Sequence, residues 1–196
     1  TGKEVLICVI KGLIINGIIP NVKMIKDIIH SFARYEKKFP RYDKVTYIDF
    51  LNNEYNHHFN YQIYDTINNY FSKRNHKLNK NALKVLKYLS SKYEIVALTN
   101  YVYDVQYNRL KISGALKYFK NLYTGDKYLK PSKESYMTSC GDYKPNECVI
   151  IGDDLLRDYL EPKKLGFKTI LYDKKSKYLD KEYNRIRDLI ELETIL

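Results

Sequence analysis

Three short stretches of this chain set polar side chains at the end of an apolar run or the start of a helix. They are Thr99-Asn100 after "IVAL", Lys130-Pro131, and Gly152-Asp153-Asp154 after "VII", with Asp158 one helical turn further on. Hydroxyl, amide, ammonium and carboxylate groups in series can hold a polar ligand. Each also has an ordinary structural use: Thr99 can cap a helix, and Asp153 and Asp154 can complement the dipole of a helix N-terminus. What favours a joint role is their order along successive strand–helix units.

Those units follow from the apolar pattern. Short apolar runs at 94–100, 121–125, 148–154 and 168–173 read as buried strands, and helical patterns fall between them at 102–113, 132–141 and 155–165. Alternation of this kind predicts a parallel sheet with right-handed crossovers, and in such sheets ligands sit at the carboxyl ends of the strands. The opening run "VLICVIKGLIIN" (5–16) reads as a fifth buried strand. Helical spacing follows from Pro20 to Pro40 and over 44–56, 59–73 and 80–91, with Asn79 as the expected cap of the last. The predicted fold class is α/β, a doubly wound parallel β-sheet with a helical cap inserted after its first strand. Residues 1–14 and 78–196 form the core and 15–77 the cap.

With these motifs in that order, the chain resembles the haloacid dehalogenase (HAD) superfamily, which is mostly phosphohydrolases. The resemblance rests on "IVALTN", "YLKPSKESY" and "VIIGDDLLRDYLEPKKLGFKTILYD", and it covers nearly the whole chain. It implies that Thr99 hydrogen-bonds the phosphoryl oxygens with Asn100 beside it, and that Lys130 neutralises phosphate and nucleophile charge. It further implies that Asp153, with Asp154, coordinates Mg²⁺, and that Asp158 orients Lys130 or supports the metal. Phosphoryl transfer needs such cations around the equatorial oxygens.

The family's first motif is a strand ending in Asp-x-Asp-Gly-Thr/Val, whose two carboxylates act as nucleophile and general acid/base. Laid on this chain, the resemblance puts Cys8 at the nucleophile position, Ile10 at the acid/base position, Lys11 at the glycine and Gly12 at the hydroxyl residue. No Asp or Glu lies between Glu4 and Asp27 to rescue the motif by a shift of register. A thiolate at Cys8 would need a cationic setting, sulfur is a poor Mg²⁺ ligand, and Ile10 cannot protonate a leaving group. On this reading Mg²⁺ binding is weakened or absent, and Lys11 stands in for the metal beside Asp153 or Asp154. The expected function is a phosphatase-fold pseudoenzyme that binds a phosphorylated small molecule or a protein partner. An active phosphatase-type hydrolase with an unusual nucleophile is the alternative, and a basic nucleic-acid-associated module the third reading.

Composition bounds the rest. The 196 residues suit one domain with a modest insertion, and 44% apolar with 29% charged residues is ordinary globular usage. The net charge of +11 comes from lysines scattered without a basic run, which argues for a solvated surface and against a nucleic-acid footprint. The 21 tyrosines, with abundant Lys, Asn and Ile, share AT-rich codons. Cys8, Cys140 and Cys148 are odd in number without CxxC spacing, which argues against a disulfide framework or zinc site. Residues 5–19 have the apolarity of a signal-peptide core, but Lys11 and Asn16 interrupt them and no run is long enough to span a bilayer. These features point to a cytoplasmic protein with no membrane partner.

Overall fold

The computed structural model describes residues 2–74, 78–178 and 182–196. In chain order the helices are α1 (Gly2–Ile15), α2 (Val22–Lys38), α3 (Lys44–Tyr55), α4 (Gln62–Ser72) and α5 (Ala82–Ser90). Strand β1 (Val96–Thr99), α6 (Tyr103–Ile112), β2 (Asn121–Thr124), α7 (Lys133–Cys140) and β3 (Val149–Gly152) follow. A π-helical segment, Leu155–Leu160, then runs into α8 (Glu161–Lys164), before β4 (Lys168–Tyr172), β5 (Arg185–Ile186) and α9 (Leu192–Ile195). The chain packs as two units. One holds residues 2–74 with Asn100–Ile112 and Thr124–Leu129, and the other holds 78–99, Ser113–Tyr123 and the described residues from Lys130 onward.

The first unit is helical. Contrary to the strand expected for the opening run, residues 2–15 form α1. Cys8, Val9, Gly12 and Leu13 are buried while Lys11, Ile14 and Ile15 face solvent, which is a 3.6-residue period. Because Ile14 and Ile15 lie on the exposed side, the run is apolar all round and hides that period; a continuous apolar run does not discriminate helix from strand. Asn16 and Gly17 end α1: Gly17 takes φ +71°, and the Ile18 N–H returns to the Leu13 carbonyl at 3.0 Å. The helical block of this unit thus begins with α1 itself among the described residues.

Next, α2 starts at Val22, two residues after Pro20, because the Asn21 side chain caps the Met24 N–H at 2.9 Å. Asp43 caps α3 through Thr46 at 2.8 Å. Helix α4 packs on α1 and α6, and α2 on α1 and α3. Tyr35 sits at the centre of an aromatic cluster, with Phe39, Tyr42, Tyr47 and Phe50 at 4.5–5.7 Å between ring centroids. Two of the phenol groups find partners inside the unit: Tyr47 shares a hydrogen with Ser31 at 2.6 Å, and Tyr101 donates to Asn68 at 2.5 Å.

The second unit is α/β. Strands β3, β4 and β5 form a parallel sheet with Val149 opposite Lys168 and Leu171 opposite Arg185, while β1 pairs with β2. Side chains alternate across β3. Val149 and Ile151 join Ile170, Ile186, Val85 and Leu89 beneath α5 and α9, whereas Cys148 and Ile150 join Tyr136, Cys140 and Phe167 on the α7 side. Helices on both faces of a parallel sheet are the doubly wound arrangement expected from the sequence. Helix α5 begins at Ala82 with Asn81 at the cap position, φ +66° and without a side-chain cap bond; Asn79 accepts the Ala82 N–H through its carbonyl. Gly166, at φ +91°, closes α8 before Phe167 enters the core. No helix among the described residues is long and apolar enough to cross a membrane.

Gly12 has a packing reason within the helical unit, since a Cβ there would stand 2.4 Å from Cγ1 of Ile67 on α4. Alanine favours a helix by about 1 kcal/mol, but overpacking costs about 1–3 kcal/mol. Gly12→Ala is therefore expected to lower the urea midpoint despite its better helix propensity, and to lower it less in an Ile67→Ala background, where the clashing Cγ1 is absent.

Candidate functional site

In the second unit the site grows from the end of β3. Gly152 closes the strand, Asp153 follows exposed to solvent, and Asp154 caps the π-helical segment by accepting the Leu156 and Arg157 N–H groups at 3.0 and 2.9 Å. Asp158 lies one turn in. One of its oxygens receives the Lys130 ammonium at 2.5 Å and the other accepts the Asp154 N–H at 3.1 Å. The Lys130 and Asp158 side chains are only 12% and 8% exposed, so this is a nearly buried ion pair. Water screens such a pair poorly, and either partner is costly to remove alone. Glycine is demanded at 152: a Cβ there would lie 2.2 Å from Asp158 Oδ2. Tyr136, on α7, donates to the Arg157 carbonyl at 2.6 Å and anchors the far side of the segment.

The two carboxylates after β3 therefore differ. The cap bonds engage Asp154 and hold it with Arg157 Nε 3.8 Å away, whereas Asp153 makes no hydrogen bond among the described residues. No cluster of three or more His, Cys, Asp or Glu side chains that could hold a metal occurs among the described residues. What the donor set offers is the open carboxylate of Asp153 with Asp154 beside it in the chain. Mg²⁺ keeps several waters and is commonly held by one or two carboxylates, so these residues fit it. Thr99 ends β1, half-buried, in the same unit.

In the helical unit, Asn100 donates to Glu36 at 3.4 Å, and its carbonyl accepts from Gln106 at 2.7 Å. The Tyr42 hydroxyl donates to the other oxygen of Glu36 at 2.6 Å. Burial and then the Glu36 charge push that phenol far above its ordinary pKa. Tyr101 follows with a strained φ of +94°. Gly125 packs so tightly that a Cβ would come within 2.8 Å of the Tyr101 nitrogen. Glu36 was not visible as a site candidate in the sequence, where it is one acid beside Lys37 and Lys38 on a helix.

Cys8 and Ile10 do not stand at a strand end. Both lie on α1, and Cys8, 1% exposed, packs in the helical core with Val9, Leu13 and Ile63. Lys11 is exposed on the same helix, its ammonium 5.2 Å from the ring centroid of Tyr70. The strand expected to carry "CVIKG" is thereby corrected to a helix, which does not present residues i and i+2 on one side as a strand does. At the β4 end, Asp173 has no signature in the sequence that marks it as a site residue. Burial opposes its ionisation, but the Lys177 and Tyr178 N–H groups, with Arg185 at 3.4 Å, hold its carboxyl below the usual range.

Residues 128–185 match the family model described as HAD-hydrolase-like. Comparison with curated protein sequences gives no match. Among solved structures, the chain is similar to the HAD-hydrolase YfnB from Bacillus subtilis bound to magnesium (TM-score 0.72, 21% identity, 100% of this chain and 92% of that one). It is also similar to a HAD phosphatase from Thermococcus onnurineus (TM-score 0.62, 20% identity, 99% and 88%). A third is the L-2-haloacid dehalogenase of Xanthobacter autotrophicus with chloropropionic acid covalently bound (TM-score 0.63, 13% identity, 89% and 83%). Residues 128–185 are thus HAD-hydrolase-like in sequence, and the chain as a whole shares the fold of these solved structures.

Gly152→Ala is expected to push Asp158 from its seat and cost about 2 kcal/mol by overpacking. Asp158→Ala is expected to cost about 3 kcal/mol by taking the carboxylate from a nearly buried ammonium. Both act through one carboxylate, so the double variant loses less than the sum, which urea denaturation of the four proteins measures.

Proposed function

We propose that the protein acts on or binds a phosphorylated ligand, with the second unit supplying the charge-neutralising half of a HAD-type phosphohydrolase site. The observation that carries this reading is the Lys130–Asp158 pair, bonded at 2.5 Å and joined through the Asp154 N–H to the carboxylates after β3. In it Lys130 neutralises phosphate oxygens, Asp158 holds the ammonium in place, and Thr99 donates a hydroxyl hydrogen bond. Mg²⁺, when held by Asp153 with Asp154, supplies further positive charge to the phosphoryl oxygens. Asp153 is the better ligand because its carboxylate is open, whereas Asp154 caps the π-helical segment.

The case for a catalytically silent protein rested on Cys8 and Ile10 as replacements for two aspartates. Both residues lie on α1 and neither ends a strand. Neither residue has a catalytic role in this proposal, and no nucleophile is assigned among the described residues. The ligand is a small phosphorylated molecule or a phosphorylated segment of a partner protein.

Calorimetric titration with inorganic phosphate, with and without Mg²⁺, tests the reading. Lys130→Met combined with Asp158→Leu removes both charges together, which a nearly buried pair tolerates better than single loss. That double variant is expected to fold and lose at least tenfold in phosphate affinity. Asp153→Asn is expected to abolish only the Mg²⁺-dependent increment, and Cys8→Ala to leave phosphate affinity unchanged. Unaltered phosphate binding by the folded Lys130→Met/Asp158→Leu protein would refute the proposal.

A further inference from the structure

The second unit brings together two cysteines that the sequence spacing gave no reason to pair. Cys140 is the last residue of α7 and Cys148 immediately precedes β3, yet their sulfurs lie 3.2 Å apart. The seven residues between them reverse the chain: Gly141 takes φ +61°, and a 3₁₀ turn over Pro145–Glu147 returns it to the sheet. Cys140 Sγ also donates to the Tyr143 carbonyl at 2.7 Å, which leaves its sulfur as the acceptor facing the Cys148 thiol. Tyr136 and Phe167 wall the pair on the core side, while residues 141–144 and 146–147 are exposed. Cys148 itself is half-buried, so a small oxidant reaches one sulfur of the pair and the buried Cys140 waits behind it.

We propose that Cys140 and Cys148 form a redox modification site, closing to an intramolecular disulfide by exchange with a small-molecule disulfide of the glutathione type. A disulfide bond is about 2.05 Å long, so the sulfurs need approach by only about 1.2 Å from the observed separation. The Cys148 thiolate attacks one sulfur of the small disulfide, forming a mixed disulfide and releasing one thiol. The Cys140 thiolate then attacks Cys148 Sγ and releases the second. The protein gives up two electrons and two protons, and the small disulfide takes them up as two thiols. Burial and the neighbouring Cys140 push the Cys148 thiol up to about 12, so the exchange is slow at neutral pH and the site answers sustained oxidation.

The bond would clip the end of α7 to the start of β3. These elements carry the candidate site at their opposite ends, with Lys130 ahead of α7 and Asp153 after β3. The inference does not depend on the phosphate reading.

Oxidised glutathione at pH 8.5 over several hours, followed by thiol counting, intact mass and peptide mapping, tests it. Cys8, buried in the helical unit, is the internal control. Titratable thiols in the denatured protein are expected to fall from three to one. The chain should lose two hydrogens in mass and carry no glutathione, and one cross-linked peptide pair should contain Cys140 and Cys148. Dithiothreitol reverses it. Cys140→Ser is expected to stop at a glutathione adduct on Cys148, and Cys8→Ser to oxidise as the parent does. The proposal fails if the parent protein retains three thiols, if it stops at a mixed disulfide on Cys148, or if Cys8 is consumed first.

Discussion

A single nearly buried ion pair organises the second unit. Lys130 comes from the segment before α7 and Asp158 from the π-helical segment after β3, and their bond at 2.5 Å ties the two together. The pair sets conditions on its neighbours. Position 152 must be glycine, because Asp158 occupies the space of a side chain there. The Asp154 N–H must point inward to satisfy the second oxygen of Asp158. With its own carboxylate turned to the Leu156 and Arg157 amides, Asp154 leaves Asp153 as the open acid. A π-helical stretch at this point is consistent with a local geometry kept for its site, as such turns often are.

Much of this was legible in the residues. The runs at 148–154 and 168–173 became β3 and β4 because they are short, apolar and bounded by polar or glycine positions, and Lys130 with Asp158 could be named from the order of the motifs. The opening run misled for a physical reason. Ile14 and Ile15 on the solvent side of α1 filled in the polar positions that would have marked a helix. The bond between Asn100 and Glu36 spans 64 residues and has no local signature. The meeting of Cys140 with Cys148 depends on a turn whose shape is set by one positive-φ glycine and a short 3₁₀ segment, and spacing alone does not encode that.

The compositional bias towards tyrosine also gains a structural meaning. AT-rich codons account for how many tyrosines there are, but not for where they lie. In the helical unit Tyr35, Tyr42, Tyr47 and Tyr64 take core positions that aliphatic residues would ordinarily fill. A buried phenol costs free energy unless its hydroxyl is bonded, and here Arg41, Glu36 and Ser31 supply partners to Tyr35, Tyr42 and Tyr47, as Asn68 does to Tyr101. The helical core is thus held by directional bonds as well as by apolar burial, which favours one packing arrangement over its near neighbours.

That distribution of rings gives the protein an internal optical reporter. The chain has no tryptophan, and its densest ring contacts, around Tyr35 and Tyr101, all lie in the helical unit. Near-ultraviolet dichroism depends on aromatic rings held in fixed, asymmetric packing. The signal of this molecule is accordingly weighted towards its helical unit, while far-ultraviolet dichroism registers the backbone of both units. Comparing the two bands during denaturation separates loosening of the aromatic core from loss of the parallel sheet without any label.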